Sequence, residues 1–560
     1  MDMYYLTMLL YIFLIYWFIV LVLDKKGILQ RYNISTIGPI LMIRTVKGQK
    51  LLELLATGER KESLWRLYAN FGTILVLIAM VFMFSLILYG GYGTFMMQPE
   101  PTELNEPRNW LLIPGLNEFI PMCAWIGFVV ALIVHEFSHA ILSIVEKIKV
   151  KSMGLLLLLV PIGAFAEPDS EQLFGKKESG NKEHKLEQEP VEEAGVEKQE
   201  EPKKIATSRE RTRILSAGVT SNFCVALIAF ALFFGILFAI QPVSDTVLYV
   251  YGVADGSPAE KAGIVSETLI TKLDGSKVIG IEGLNNALKG KHEISLTVLD
   301  KKGKKHEIAV KNASECEGVA IGTVENGTPA ANAGLKGGMV ITRLNNKSIN
   351  SYVDFLAFMN HTVPGHEIEV QTGGETFTIV LKESPYYANR GYLGIGVANN
   401  PLGMMVVEFP LKGYLEHLRG LPASLIRFSH GGWLLLMVMP ILPFSSGGFN
   451  SFNPLLSNLY EPVGAAALFG TGLFFIADML FWIGWINFYV GLFNCLPAIP
   501  LDGGYVFREM LNSLLGKGIR DEKKREMISM VIIVIFAVVI FLSIVIMLVG
   551  PYAFELYAPG

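Results

Sequence analysis

The sequence predicts a polytopic α-helical membrane protein, with about six transmembrane helices and two small α+β domains inserted between core helices. Three observations carry this expectation. Apolar residues make up 51% of the 560, a high share for a soluble chain. Runs able to cross a hydrocarbon layer of roughly 30 Å recur at 3–23, 70–91, 118–145, 212–240, 468–496 and 526–549. Between the fourth and fifth runs the composition turns soluble, and a block of about 70 residues repeats.

Residues 1–117 read as the first two helices and the loop between them. The opening run has no basic n-region and no small-residue cleavage site, so it is expected as a retained span. Lys25, Lys26, Arg31, Arg44, Lys47 and Lys50 in the first loop mark it as cytoplasmic. The following loop holds Glu100, Glu103, Glu106 and Glu118 against a lone Arg108, which places it outside. Residues 118–170 comprise the third span and an apolar piece, 154–166, too short to cross and flanked by cytoplasmic charge. A hairpin dipping into the membrane fits it best. The Lys/Glu-rich stretch 171–211 reads as a disordered linker, and 212–242 as the fourth span. Residues 386–463 are expected outside or at the outer interface. The fifth span falls in 464–505, and a basic cytoplasmic loop with the last helix in 506–560. The alternation closes with both termini outside.

Within the soluble insert, Gly256-Ser257-Pro258-Ala259 returns as Gly327-Thr328-Pro329-Ala330. Leu269-Ile270-Thr271-Lys272-Leu273-Asp274-Gly275 matches Val340-Ile341-Thr342-Arg343-Leu344-Asn345-Asn346 in the same register. Two units follow, 245–315 and 316–385, each with a short helix, a strand, a tight polar turn, a second helix and paired strands. This pattern resembles a PDZ domain of the protease-attached kind. The resemblance implies that an extended peptide can add to a sheet edge beside a helix. Neither unit shows a clear carboxylate-binding loop before its helix; Glu317-Gly318-Val319-Ala320-Ile321 is a loose analogue. The pair either binds peptide or spaces and shields the site.

The third span carries His135-Glu136-Phe137-Ser138-His139. Positions four apart share a helix face, so both imidazoles can turn toward one metal ion. Glu136 stands within reach of a water on that ion. A chance match in an apolar span is improbable, because an idle mid-membrane carboxylate costs about 2.5–3.5 kcal/mol. Catalytic zinc usually takes three protein ligands. The best candidate for the third is Asp502, which closes a long uncharged stretch ahead of a basic loop. Pro497 and Pro500 just before it would interrupt the helix, freeing backbone groups for an extended substrate. Gly503 and Gly504 would permit close backbone approach around the carboxylate.

The His-Glu-x-x-His helix, the Asn494-Cys495-Leu496-Pro497-Ala498-Ile499-Pro500-Leu501-Asp502-Gly503 segment and the intervening repeats together resemble the site-2 protease family. Arg213-Ile214-Leu215-Ser216-Ala217-Gly218 with Asn222 is similar to that family's middle core helix. The resemblance implies an intramembrane zinc metalloprotease binding one Zn²⁺ per chain through His135, His139 and Asp502. It makes Glu136 the catalytic base and gives Asn494 a part in holding substrate or the oxyanion. It further implies transmembrane protein substrates in a lipid bilayer, a multi-pass cell-membrane protein, and a site toward the cytoplasm with the repeats outside.

The remaining composition narrows the field. A net charge of −4 gives no reason to expect a nucleic-acid partner. Cys123, Cys224, Cys316 and Cys495 fit neither a disulfide framework nor a Cys-x-x-Cys zinc site. Asp478 in the fifth span is expected to pair with a polar neighbour or face the outer interface. Two other classes stay in view, an inert membrane scaffold bearing the repeats and, less well supported, a metal transporter.

Overall fold

Helix α1 (Met3–Lys25) begins a chain whose computed structural model describes residues 3–557, apart from 46–48, 111, 159–160, 176–203, 278–279, 301–302, 312–317, 428–429 and 443–447. Most of the charged 171–211 stretch therefore lies outside the described residues; its ends form a short helix, Ser170–Phe174, and the start of a long one. The described residues fall into two compact units, 1–232 with 479–560, and 233–478.

In the first unit, strands β1 (Ile34–Ile37) and β2 (Ile40–Thr45) form a hairpin after α1. The hydroxyl of Tyr16 on α1 donates to Pro39 O in its turn at 3.0 Å. Helix α2 (Glu59–Met97) extends well past the expected 70–91 run; good helix formers such as Glu59, Arg60, Lys61, Glu62 and Leu64 continue it on the N-terminal side. Helix α3 (Trp125–Val145) starts later than the apolar run, after Pro121 and a 3₁₀ turn at Met122–Ala124. Next come β3 (Val150–Leu157), β4 (Pro161–Pro168) and helix α4 (Ser208–Phe238).

The apolar piece 154–166 is a hairpin, as its length required, but it is not alone. The β1–β2 hairpin pairs with it, giving a four-stranded sheet in the order β1-β2-β3-β4. An isolated hairpin would leave the outward backbone groups of both strands unpaired; the second hairpin satisfies one of its edges. Ala140, Ile141, Leu142 and Val145 of α3 pack with Leu52, Ala69, Val150, Ile214 and Ala217 in one buried cluster. That cluster fixes α3 against α2, α4 and the sheet.

The second unit begins within α4 and holds both repeats. Strands β5 (Val247–Val253), β6 (Thr268–Leu273), β7 (Glu293–Leu299) and β8 (Lys305–Lys311) carry the first, with helix α5 (Gly280–Leu288). Strands β9 (Val319–Val324), β10 (Val340–Leu344), β11 (Glu367–Thr372) and β12 (Thr376–Val380) carry the second, with helix α6 (Tyr352–Met359). The repeat extends to hydrogen bonds. Asp274 and Asn345 both adopt positive φ, 48° and 50°. Asp274 Oδ1 accepts from Ser295 N at 2.8 Å, and Asn345 Oδ1 from Glu369 N at 2.7 Å.

Both domain boundaries differ from the expectation. Strand β13 (Ile395–Val397) pairs with β9, and β14 (Met404–Phe409) pairs with β5. The sheet orders are β8-β7-β6-β5-β14 and β12-β11-β10-β9-β13, each joined by a two-residue strand. The first domain is thus 247–311 with 404–409, and the second sits inside it as an insertion. Residues 395–397 and 404–409, expected in the external segment, are strands of these sheets. Buried Leu402, Met404 and Val406 pack in the first core, and Leu393 and Val397 in the second.

The chain returns to long helices with α7 (Gly472–Asn494), α8 (Asp502–Leu515) and α9 (Glu522–Tyr557). Among the described residues, five helical stretches are long and apolar enough to cross a membrane: Glu59–Met97, Met122–Val145, Ser208–Phe238, Gly472–Asn494 and Glu522–Leu556. In the first unit α9 packs along α2, where Gly91 brings the backbones so close that a Cβ would meet Ser543 Cβ at 2.9 Å.

Candidate metal centre

Three helices of the first unit converge at His135 and His139 on α3, Asp502 at the first position of α8, and Gly218 on α4. Asp502 Oδ2 lies 3.0 Å from His135 Nε2 and 3.2 Å from His139 Nε2. The two Nε2 atoms are 3.2 Å apart. These three side chains form a group of ligand-type atoms able to hold one metal ion, and both histidines are buried.

The surroundings set which ring nitrogen is free. His139 Nδ1 donates to Ile214 O on α4 at 2.7 Å, which leaves the lone pair on Nε2, facing the other two ligands. At His135 the partner is the Asn222 amide, 3.3 Å from Nδ1, with Asn222 Oδ1 buried and lacking a partner. A half-turn of that amide exchanges its oxygen and nitrogen. Asn222 Oδ1 then accepts from Nδ1–H, and His135 Nε2 too presents a lone pair. Asp502 Oδ2, also buried, finds no hydrogen-bond donor. Three acceptor atoms facing one another without a proton between them fit a cation, and two nitrogens with one carboxylate oxygen suit zinc.

Glycine makes the convergence possible. A Cβ on Gly218 would stand 2.5 Å from His139 Nε2 and 2.7 Å from His135 Cε1. A Cβ on Gly503 would meet Cys495 O at 2.2 Å, and one on Gly504 Ala498 C at 2.5 Å. The turn 495–501 therefore folds directly onto the start of α8 and delivers Asp502 to the histidines. Pro497 is buried in that turn and Pro500 is exposed, its peptide bond to Ile499 being cis.

Glu136 faces the β-sheet: its Oε2 accepts the backbone N–H of Ala166 on β4 at 2.8 Å. The base expected from sequence thus stands between the histidine face and the free edge of the sheet. Asn494 is different. Its Nδ2 donates to Val490 O, one turn back on α7, at 3.0 Å, and no described contact joins it to His135, His139 or Asp502. Asp478 accepts from Phe452 N at 2.6 Å, a backbone partner in place of a side chain. Sequence reasoning gave no role to Asn222's amide or to the bare face of Gly218. Gly218 lies four and Asn222 eight residues past Ile214, and that spacing was the available signal, since it places all three on one face of α4.

Fold and site together define a helical membrane protein with a buried His-Glu-x-x-His motif that meets a distant aspartate in a group able to hold a metal ion. The chain belongs to peptidase family M50, whose model matches residues 123–406 and 435–540. It is similar to the regulator of sigma E protease of Haemophilus influenzae, 23% identical over 337 residues, which cover 56% of this chain and 72% of that protein. A protein of Lactococcus lactis named as a zinc metalloprotease is 24% identical over 226 residues. That match covers 40% of this chain and spans about half of the relative, 47%. A DegP-like periplasmic serine endoprotease of Chlamydia muridarum is 29% identical over 166 residues, 24% of this chain and 33% of that protein.

Proposed function

We infer that the protein is an intramembrane zinc metalloprotease that hydrolyses peptide bonds in or near transmembrane segments of membrane proteins. The observation that carries this is the meeting of His135 and His139, on a helix of membrane-spanning length, with Asp502 at the start of α8, all within 3.2 Å. His135, His139 and Asp502 would hold one Zn²⁺ per chain. Bound there, zinc acts as a Lewis acid that activates water and polarises a carbonyl.

The chain's own groups do the rest. Glu136 takes the proton from the attacking water and returns it to the leaving amine. Before substrate arrives its carboxylate is steered by Ala166 N–H. A helical substrate has its backbone groups already paired and must unwind to be cut. The β4 edge beside Glu136 offers N–H and C=O groups for an unwound segment to join the sheet as a further strand. Asn494 would hold substrate only if its amide left Val490 O, so its role rests on the family resemblance alone.

The two sheets of the second unit are read as PDZ-like domains. Each has a Leu-Gly-apolar loop ahead of its late strand, Leu402-Gly403-Met404 and Leu393-Gly394-Ile395. The backbone carbonyls of Leu402 and Leu393 accept from Ala259 N and Ala330 N, both at 3.0 Å. Those loops, and not 317–321, are the analogues of a carboxylate-binding loop. Six crossings with cytoplasmic access to the site, and external repeats that either capture peptide or exclude large substrate domains, complete the reading. Membership of a peptidase family speaks against the scaffold and transporter alternatives.

The test uses purified protein and a single-span membrane substrate. Cleavage should stop on chelation and return with Zn²⁺. Glu136→Gln keeps an acceptor for Ala166 N–H and should reduce turnover by at least ~100-fold with zinc content unchanged. Chelator-resistant cleavage, or full activity in that variant, refutes the assignment.

A further inference from the structure

Two buried carboxylates beside the metal centre take no part in the chemistry above, and their placement is symmetrical. Glu146 follows His139 by seven residues, at the end of α3; Glu509 follows Asp502 by seven residues, on α8. Each therefore lies about two helical turns, roughly 10 Å, from a ligand and on the same helix face. Both are almost fully buried, 2% and 4% exposed.

Both are met by arginines from α4. Arg211 grips Glu509 with two parallel bonds, Nε to Oε1 at 2.9 Å and one terminal nitrogen to Oε2 at 3.0 Å. Ser208 Oγ donates to the same carboxylate at 2.6 Å, and the other terminal nitrogen of Arg211 donates to Ala206 O at 2.9 Å. Arg213 donates to Glu146 Oε1 at 2.9 Å and, through Nε, to Asn70 Oδ1 on α2 at 2.9 Å. Arg66 of α2 stands 3.5 Å from the other Glu146 oxygen. A fork-on-carboxylate pair fixes angle as well as distance, which a point charge does not.

We propose that Arg211 and Arg213 are positioning residues for the metal centre: by clamping Glu509 and Glu146 they set how far α8 stands from α3, and hence how Asp502 meets the two histidines. The ligands come from segments more than 350 residues apart in sequence, Asp502 against His139, so no local geometry fixes that distance. Helix α4 supplies it. Along this helix Arg211 and Arg213 hold the flanking helices, Ile214 O holds His139, Gly218 lets both rings approach, and Asn222 reaches His135. Buried ion pairs add little net stability over apolar packing and in some proteins fix a unique arrangement, which is the service a three-helix ligand set needs.

This inference rests on the metalloprotease reading for the ion's identity, and Co²⁺ titration tests the geometry without proteolysis. The variants are Glu509→Gln, the apolar pair Arg211→Met with Glu509→Leu, and Arg211→Lys, all in the full chain. In the apolar pair the metal-free protein should melt close to wild type, while Co²⁺ affinity falls about 10–100-fold and the visible cobalt band changes shape. Glu509→Gln should lower kcat with KM unchanged, and Arg211→Lys should recover part of the affinity. An apolar pair with wild-type cobalt affinity and spectrum overturns the proposal, as does an affinity loss that only tracks a lower metal-free melting temperature. A wild-type chain that binds no Co²⁺ at all overturns both this and the metalloprotease reading, and is told apart by appearing before any substitution.

Discussion

At the scale of single residues, the centre depends on what is missing as much as on what is present. Gly218 has no room for a methyl group, since a Cβ would lie 2.5 Å from His139 Nε2. Gly218→Ala should force α4 outward or rotate a ring, at a cost of about 1–3 kcal/mol in overpacking. The expected result is at least a tenfold loss of zinc affinity in a chelator competition, with helix content unchanged. The three side chains that meet there were legible beforehand. His135 and His139 are four apart on one helix, and Asp502 is the acidic residue that ends an uncharged stretch. Asn494 was legible only through resemblance, and its amide turns back to Val490. Glu509 and Glu146 were not legible, because their meaning comes from Arg211 and Arg213, about 300 and 67 residues away.

At the scale of elements, the sheet edge is the part with the clearest consequence. Ala166 N–H points to Glu136, away from β3, and Ala164 has the same parity on β4. Ala164→Pro would remove an N–H from that open side without touching the β3 ladder. It should slow cleavage of a transmembrane substrate while zinc content and helix content stay at wild type; unchanged kinetics would rule out strand addition at β4. The hairpin 154–166 could be read from its length and flanking charge, whereas its partner hairpin, 34–45, could not. Nothing local in Ile34–Thr45 tells which of several strands it will join.

The repeats differ at one matched position in a way that acid should reveal. The Lys291 ammonium and the Ser295 amide hold the Asp274 carboxyl below the usual carboxylate range; the second repeat has the uncharged Asn345 there. A lowered folded value means that the contribution is complete above the unfolded value, about 3.9, and is lost as pH falls through the folded one. Amide exchange in β6 and β7 should therefore rise below about pH 4 more than in β10 and β11, and Asp274→Asn should shrink the difference. Because Asp274 is solvent-exposed, the effect should be modest.

At the scale of the whole molecule, the two domains are nested, and this decides how they can be dissected. Removing 245–385 would leave β13 and β14 without partners. Removing 319–398 instead excises the second domain between ends that already lie side by side, since Ala398 N donates to Ala320 O at 2.8 Å. That variant should keep the first sheet, seen as unchanged exchange protection in β5 and β14, and should cleave substrates with larger external domains than the full chain accepts. If substrate choice is unaltered, the second domain is not a size filter. The repeat was plain in the sequence because it preserves residue identity. Its nesting was not, because β14 finds β5 across some 150 residues of intervening chain.

The nesting also dictates an order of events during synthesis. When β5 to β8 have left the ribosome, the strand that closes their sheet is still untranslated, and β5 waits with an open ladder. The inner domain must emerge in full, and can fold first, before the outer one is finished. A stall in translation or export between residues 311 and 404 would strand a half-built, sticky sheet, so a chaperone at that stage has a defined client.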